Sequence, residues 1–131
     1  MQHGSNKSVP ISISQAFDTI KFLPNRTSAA NGNNDGFCTL VPYRDGSIFL
    51  AHYAGSSEWE RHTNGDEMVM VMEGETTLIL LQYGEEIANF MPQGTLLVVP
   101  KNSWHRFESP KGVKIMTITP QPTDHSVERP E

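Results

Sequence analysis

From Phe37 onward the chain alternates short apolar-rich runs with turn residues at close, even spacing. The runs fall at 37–43, 47–54, 58–63, 67–73, 76–82, 86–90, 95–99, 104–108 and 113–119. Between them stand Asp45-Gly46, Asn64-Gly65-Asp66, Gly84-Glu85, Pro92-Gln93-Gly94, Pro100-Lys101-Asn102 and Pro110-Lys111-Gly112. Asp-Gly favours a tight hairpin because glycine tolerates positive φ. Many short strands with almost no helical periodicity predict an all-β sandwich or barrel. A parallel α/β sheet would need longer crossovers.

The region before Phe37 reads differently. Met1 to Val9 is polar, and residues 1–12 are expected to be a flexible N-terminus. Ser14 to Leu23 places apolar residues at 16, 17, 20 and 23. That predicts a turn or two of helix, with Ser14 as N-cap and Pro24 as stop. Asn25 to Gly36 reads as a loop. The tail, 120–131, carries three prolines and is expected to be extended or disordered. One domain over 1–131, with its barrel at about 37–119, suits the length of 131 residues.

Composition narrows the partners. Ten basic residues face fifteen acidic ones, for a net charge of −5. No Lys/Arg stripe forms, so nucleic acid is not expected as a partner. The first ten residues lack the apolar stretch of a secretion signal, and no run is long enough for a membrane helix. The single cysteine, Cys38, permits no intrachain disulfide and sits among apolar neighbours as a core residue would. Together these features lead us to expect a cytoplasmic protein.

Two histidines stand out by context. His62 and Asn64 are two apart and would share a strand face. Glu67 opens the next run across the Asn64-Gly65-Asp66 turn, and His105 follows the Pro100-Lys101-Asn102-Ser103 turn. Imidazoles and a carboxylate converging inside a barrel suit a divalent Fe, Mn, Zn or Ni ion. The alternative is a pair of ordinary hydrogen-bonded histidines, although a bare carboxylate in an apolar lumen needs a partner. His52 stands one run earlier, facing either the lumen or the wall, while His3 and His125 lie in the tails and carry no site signal.

Gly55-Ser-Ser-Glu-Trp-Glu-Arg-His62-Thr-Asn64-Gly-Asp-Glu67, continuing to Gly74, resembles the first motif of the cupin superfamily: a glycine, a His-x-His pair, a glutamate and a closing glycine. Gly94-Thr-Leu-Leu-Val-Val-Pro100-Lys-Asn-Ser-Trp-His105 resembles the second. The resemblance implies a small jelly-roll barrel with a central metal, often in a homodimer. His62, Glu67 and His105 would be the ligands, with Asn64 a weak fourth at the second histidine position. Asn102 replaces a usual glycine, and Ser109 a frequent asparagine. Two histidines and one carboxylate match non-haem iron sites that keep open positions.

If Glu67 and His105 point inward, alternation turns Val69, Val71 and Phe107 inward too, lining an apolar pocket for a small organic molecule. Phe49 and Tyr53 are further lining candidates whose strand phase the pattern leaves open. Met68, Met70 and Met72 then form an outward stripe. A second subunit would cover it, or the N-terminal segment with Phe17, Ile20 and Phe22 would. Trp59 and Trp104 read as packing residues. Three functions follow: a metal-dependent dioxygenase or isomerase, a non-catalytic binding or sensing module with a degenerate metal site, or metal-free acid–base catalysis on Glu67 or His105.

Overall fold

The computed structural model describes residues 9–28 and 35–130; His3 lies outside them. One short helix, α1 (Ile13–Asp18), precedes nine strands. These are β1 (Leu23–Arg26), β2 (Phe37–Tyr43), β3 (Gly46–Ser56), β4 (Trp59–His62), β5 (Glu67–Gln82), β6 (Glu85–Pro92), β7 (Leu96–Val99), β8 (His105–Pro120) and β9 (Thr123–Ser126). No helix of the described residues is long and apolar enough to cross a membrane.

The helix starts two residues earlier than the sequence pattern suggests. Ser12, not Ser14, is the N-cap, its hydroxyl accepting from the Gln15 amide. Leu23 and Pro24 belong not to the helix but to β1, which pairs in parallel with β3. Proline is tolerated there because β1 has a partner on one side only.

Two expected breaks between runs are absent, one of them read as a turn at Pro110-Lys111-Gly112. Runs 67–73 and 76–82 form one strand, as do 104–108 and 113–119. Gly74 and Gly112 adopt positive φ (79° and 95°), and the ladder slips in register beside Gly74. Glycine here bends continuous strands instead of ending them. The tail also departs from expectation: β9 pairs antiparallel with β4 from Trp59↔Ser126 to His62↔Thr123.

The long strand β8 organises the sheet. It pairs antiparallel with β3 from Gly46↔Pro120 to Ser56↔Glu108, and with β5 from Met68↔Ile118 to Leu80↔His105. β6 and β7 extend β5, β2 extends β3, and β4 meets β8 at Glu60↔His105. The bent sheet folds around Tyr53, Val69, Val71, Leu78, Leu80, Met91, Val99, Phe107, Val113 and Ile115. This is an all-β jelly-roll barrel, not closed by a continuous ladder.

A second cluster lies on the outside of β2 and β3, where Ala16, Phe17 and Ile20 pack on Cys38, Leu40, Val41 and Leu50, with Met116 at its edge. The N-terminal segment therefore covers the face beside the methionine stripe. Met68 and Met70 stay half-buried and Met72 exposed. A third, smaller cluster joins Trp59 to Ile79 and Leu81, with Trp104 against it.

Candidate metal centre

Three strands deliver the site. β4 ends on His62, β5 begins on Glu67, β8 begins on His105, and Thr119 lies near the other end of β8. Strand ends can place polar groups at the mouth of a core while the strand bodies stay apolar. His62, Glu67 and His105 are all buried. Glu67 Oε1 lies 3.0 Å from His105 Nε2 and 3.3 Å from His62 Nε2.

The far side of each group is anchored. His105 Nδ1 lies 2.9 Å from the carbonyl oxygen of Ser103, which can only accept, so Nδ1 carries the proton. His62 Nδ1 pairs with the Thr123 hydroxyl at 2.9 Å. Thr119 Oγ1 donates to Glu67 Oε2 at 2.7 Å and is itself linked to Thr117 Oγ1 at 2.8 Å. Such outward partners fix ring tautomer and carboxylate orientation in metal sites.

The inward atoms are a different matter. His62 Nε2, Glu67 Oε1 and His105 Nε2 are buried, and none makes a well-aligned hydrogen bond. With Nδ1–H committed to Ser103, a neutral His105 turns its Nε2 lone pair toward a carboxylate oxygen. That contact is repulsive unless a positive charge lies there: a proton on the ring or a bound cation. Without an ion, the surroundings favour the proton. Burial works against charge on His105, but the Glu67 carboxylate overrides it and raises the imidazole above its ordinary range. Burial likewise works against charge on Glu67, yet its contacts with His105 and His62 hold it down to about 2. A divalent ion would satisfy all three inward atoms at once, so the residues fit one.

Glu60 is the member the sequence reading missed. Its carboxylate groups with His62 and His105, the candidate donor atoms all within 4.8 Å of one another. Glu60 and His62 are two apart on β4 and share its inward face. Burial raises the Glu60 carboxyl, with the Glu67 charge adding to it against the pull of His105 and Arg26. Asn64 is not brought to the cluster. It lies exposed in the turn past β4, its Nδ2 donating to the Gln121 carbonyl at 3.3 Å. The paired position of the first motif thus falls on Glu60 and His62. Alternation counted back from His62 reaches Glu60 as directly as counting forward reaches Asn64, and forward runs into turn residues.

Beside the cluster opens a cavity of about 450 Å³. Phe107, Phe49 and Tyr53 line it, together with Glu60, His62 and Glu67. Val69 and Val71 point inward but do not reach it; they pack in the core. His52 is outside, half-buried against the Phe22 ring at 4.7 Å. His125 lies at the cavity wall, paired with Glu58 at 2.8 Å. The motif departures are structural: Asn102 takes φ 70°, a region asparagine tolerates, and Ser109 pairs with Thr76 at 2.7 Å inside the core.

Residues 48–119 match the family model for the cupin domain. The chain belongs to the cupin family. Among relatives of this cupin is YdbB of Bacillus subtilis (strain 168), an uncharacterised protein, 29% identical over 71 residues. That match spans 54% of this chain and 60% of YdbB, so it covers less than two thirds of the relative's length. A cupin-2 domain protein from Shewanella frigidimarina superposes with a TM-score of 0.53 at 26% identity, over 63% of this chain and 78% of that one. Hydroquinone 1,2-dioxygenase PnpCD, solved with Cd²⁺ and 4-hydroxybenzonitrile, superposes at 0.52 and 20% identity, over 70% and 61%. This last likeness is one of fold.

Proposed function

We propose that this cupin binds one divalent ion (Fe, Mn, Zn or Ni) through His62, Glu67 and His105, with Glu60 as an added donor, and takes a small organic molecule in the adjoining cavity. The observation that carries the reading is the convergence of three buried inward atoms without hydrogen bonds, each backed by an anchored outward atom. Bound there, the ion would supply Lewis-acid or redox chemistry to a ligand in the cavity, as in a metal-dependent dioxygenase or isomerase. The fold likeness to a dioxygenase solved with Cd²⁺ supports that class. The chain's own part is to aim the two Nε2 atoms inward through their Nδ1 partners, keep Glu67 ionised, and line the ligand space with apolar walls.

One observation favours a second reading, a non-catalytic binding or sensing module. Glu60 groups with His62 and His105 within 4.8 Å, and joined to Glu67, which touches both rings, it would bring the protein donors to four, enough to close a tetrahedral ion. Calorimetric titration of chelator-stripped protein with Mn²⁺ tests metal binding: one ion per chain is expected, and no uptake refutes the proposal. Water-proton relaxation of the Mn²⁺ form separates the two readings. Rapidly exchanging bound water indicates open positions and catalysis, whereas its absence indicates a closed module.

The same proposal includes a homodimer. Val98, Met68 and Ile118 form one row across β7, β5 and β8, and Leu96, Met70 and Met116 the next. Leu96 and Val98 are exposed, so an apolar face continues beyond the part covered by α1. Sedimentation of wild type and Met70→Lys should show a dimer broken by the charge; a monomeric wild type removes the dimer.

A further inference from the structure

Arg26 is the only lysine or arginine lining the cavity among the described residues. Its guanidinium carbon lies 4.5 Å from the Tyr53 ring centre and 4.9 Å from that of Phe37. Stacking on two aromatic rings fixes the plane of the group and leaves its N–H edges available. Among the described residues, no carboxylate comes within ion-pair distance of Arg26.

The backbone holds it in place. Arg26 registers against Gly55 in the β1–β3 pair. Gly55 has φ 119°, and a Cβ there would stand 2.0 Å from the Arg26 carbonyl oxygen. Only glycine allows this approach, so the first glycine of the motif seats the arginine.

The Tyr53 hydroxyl, close to the same guanidinium, is a second sign. It belongs to a cavity-lining side chain only 1% exposed, and it has no well-formed hydrogen bond. Ser109 and Arg26 lie beside it, but a buried hydroxyl left without a well-aligned bond has capacity for a better one.

We propose that Arg26 and Tyr53 anchor the carboxylate of a small organic acid whose other end reaches the His62–Glu67–His105 cluster. A planar two-oxygen anion suits the guanidinium fork, and the hydroxyl can donate to it as well. Phe37, Phe107 and Ile115 give the body of the acid an apolar wall. The proposal rests on the reading that the cavity takes a small organic ligand beside a metal.

Mandelate and its neutral analogue mandelamide test it by calorimetry on the full chain, with Mn²⁺ and after chelation. Wild type should bind the acid at least about tenfold more tightly than the amide. Arg26→Met, which keeps the stem over the rings, should erase that ratio without weakening the amide, and Tyr53→Phe should reduce it. Arg26→Gln replaces Arg26→Met if circular dichroism shows the latter unfolded. Equal affinities in wild type, a ratio undiminished without the guanidinium, or no mandelate binding at millimolar concentration overturns the anchor. Acid preference persisting without Mn²⁺ uptake would leave the anchor standing and the metal reading refuted. Mn²⁺ uptake without acid preference would do the reverse.

Discussion

Replacing Thr119 with valine removes one hydroxyl and keeps the side chain's shape. Thr119 is buried, and its Oγ1 donates to Glu67 Oε2 at 2.7 Å. A hydrogen bond to a buried charged acceptor contributes about 1.5–3 kcal/mol. At roughly 3–5 °C per kcal/mol for a domain of this size, Thr119→Val should melt about 5–15 °C lower. Losing a donor to the charged form also raises the Glu67 carboxyl from its depressed position and frees it to rotate. Metal affinity should therefore fall by about 10-fold to 100-fold, the usual effect of removing a ligand's supporting partner. Thermal melts of chelated protein give the first number, and Mn²⁺ calorimetry the second. Thr117→Val is the control. It touches Thr119 at 2.8 Å but not Glu67, so its effect on metal affinity should be much smaller. If Thr119→Val melts and binds like wild type, the carboxylate is not positioned as argued. Loss of stability with unchanged affinity would leave Glu67 outside the donor set.

Two further outcomes follow from the same geometry. Glu60→Gln should lower Mn²⁺ affinity by about tenfold or more, while Asn64→Ala leaves it unchanged in the same titration; the opposite order would restore Asn64 to the site. The pH dependence has a definite sign. The raised His105 value means its ion pair stabilises metal-free protein fully below the free-imidazole range, and that contribution is lost as pH rises through the raised value. Metal binding must expel the same proton and so strengthens over that interval. The melting-temperature gap between Mn²⁺-loaded and chelated protein should widen from pH 6 to 9, and a gap that narrows contradicts the scheme.

Much of the barrel was legible because alternation and turn residues are local signals. Each of the nine runs from Phe37 to Thr119 overlaps a strand to within a residue at its ends, and Glu67, Val69 and Val71 share the inward face as a period of two requires. What failed depended on contacts distant in sequence. Pro110-Lys111-Gly112 read as a turn, yet β8 has partners on both sides and carries its strand through it, and β5 likewise runs on through Gly74. Leu23-Pro24 looked like a helix end, but β3 recruits it as an edge. Thr123 sat in a proline-rich tail with no signal of its own, and only its pairing with β4 brings it to His62. Glu60 was hidden for another reason. Phase along a strand is symmetric about His62, and the direction is settled by where β4 ends.

The central claim is that a cation belongs among Glu60, His62, Glu67 and His105. Elemental analysis of protein purified without an affinity tag, run on wild type, Glu67→Gln and His105→Ala side by side, tests it most directly. The account predicts close to one transition-metal ion per wild-type chain and a collapse of that content in both variants. Equally negligible metal in all three proteins would contradict it.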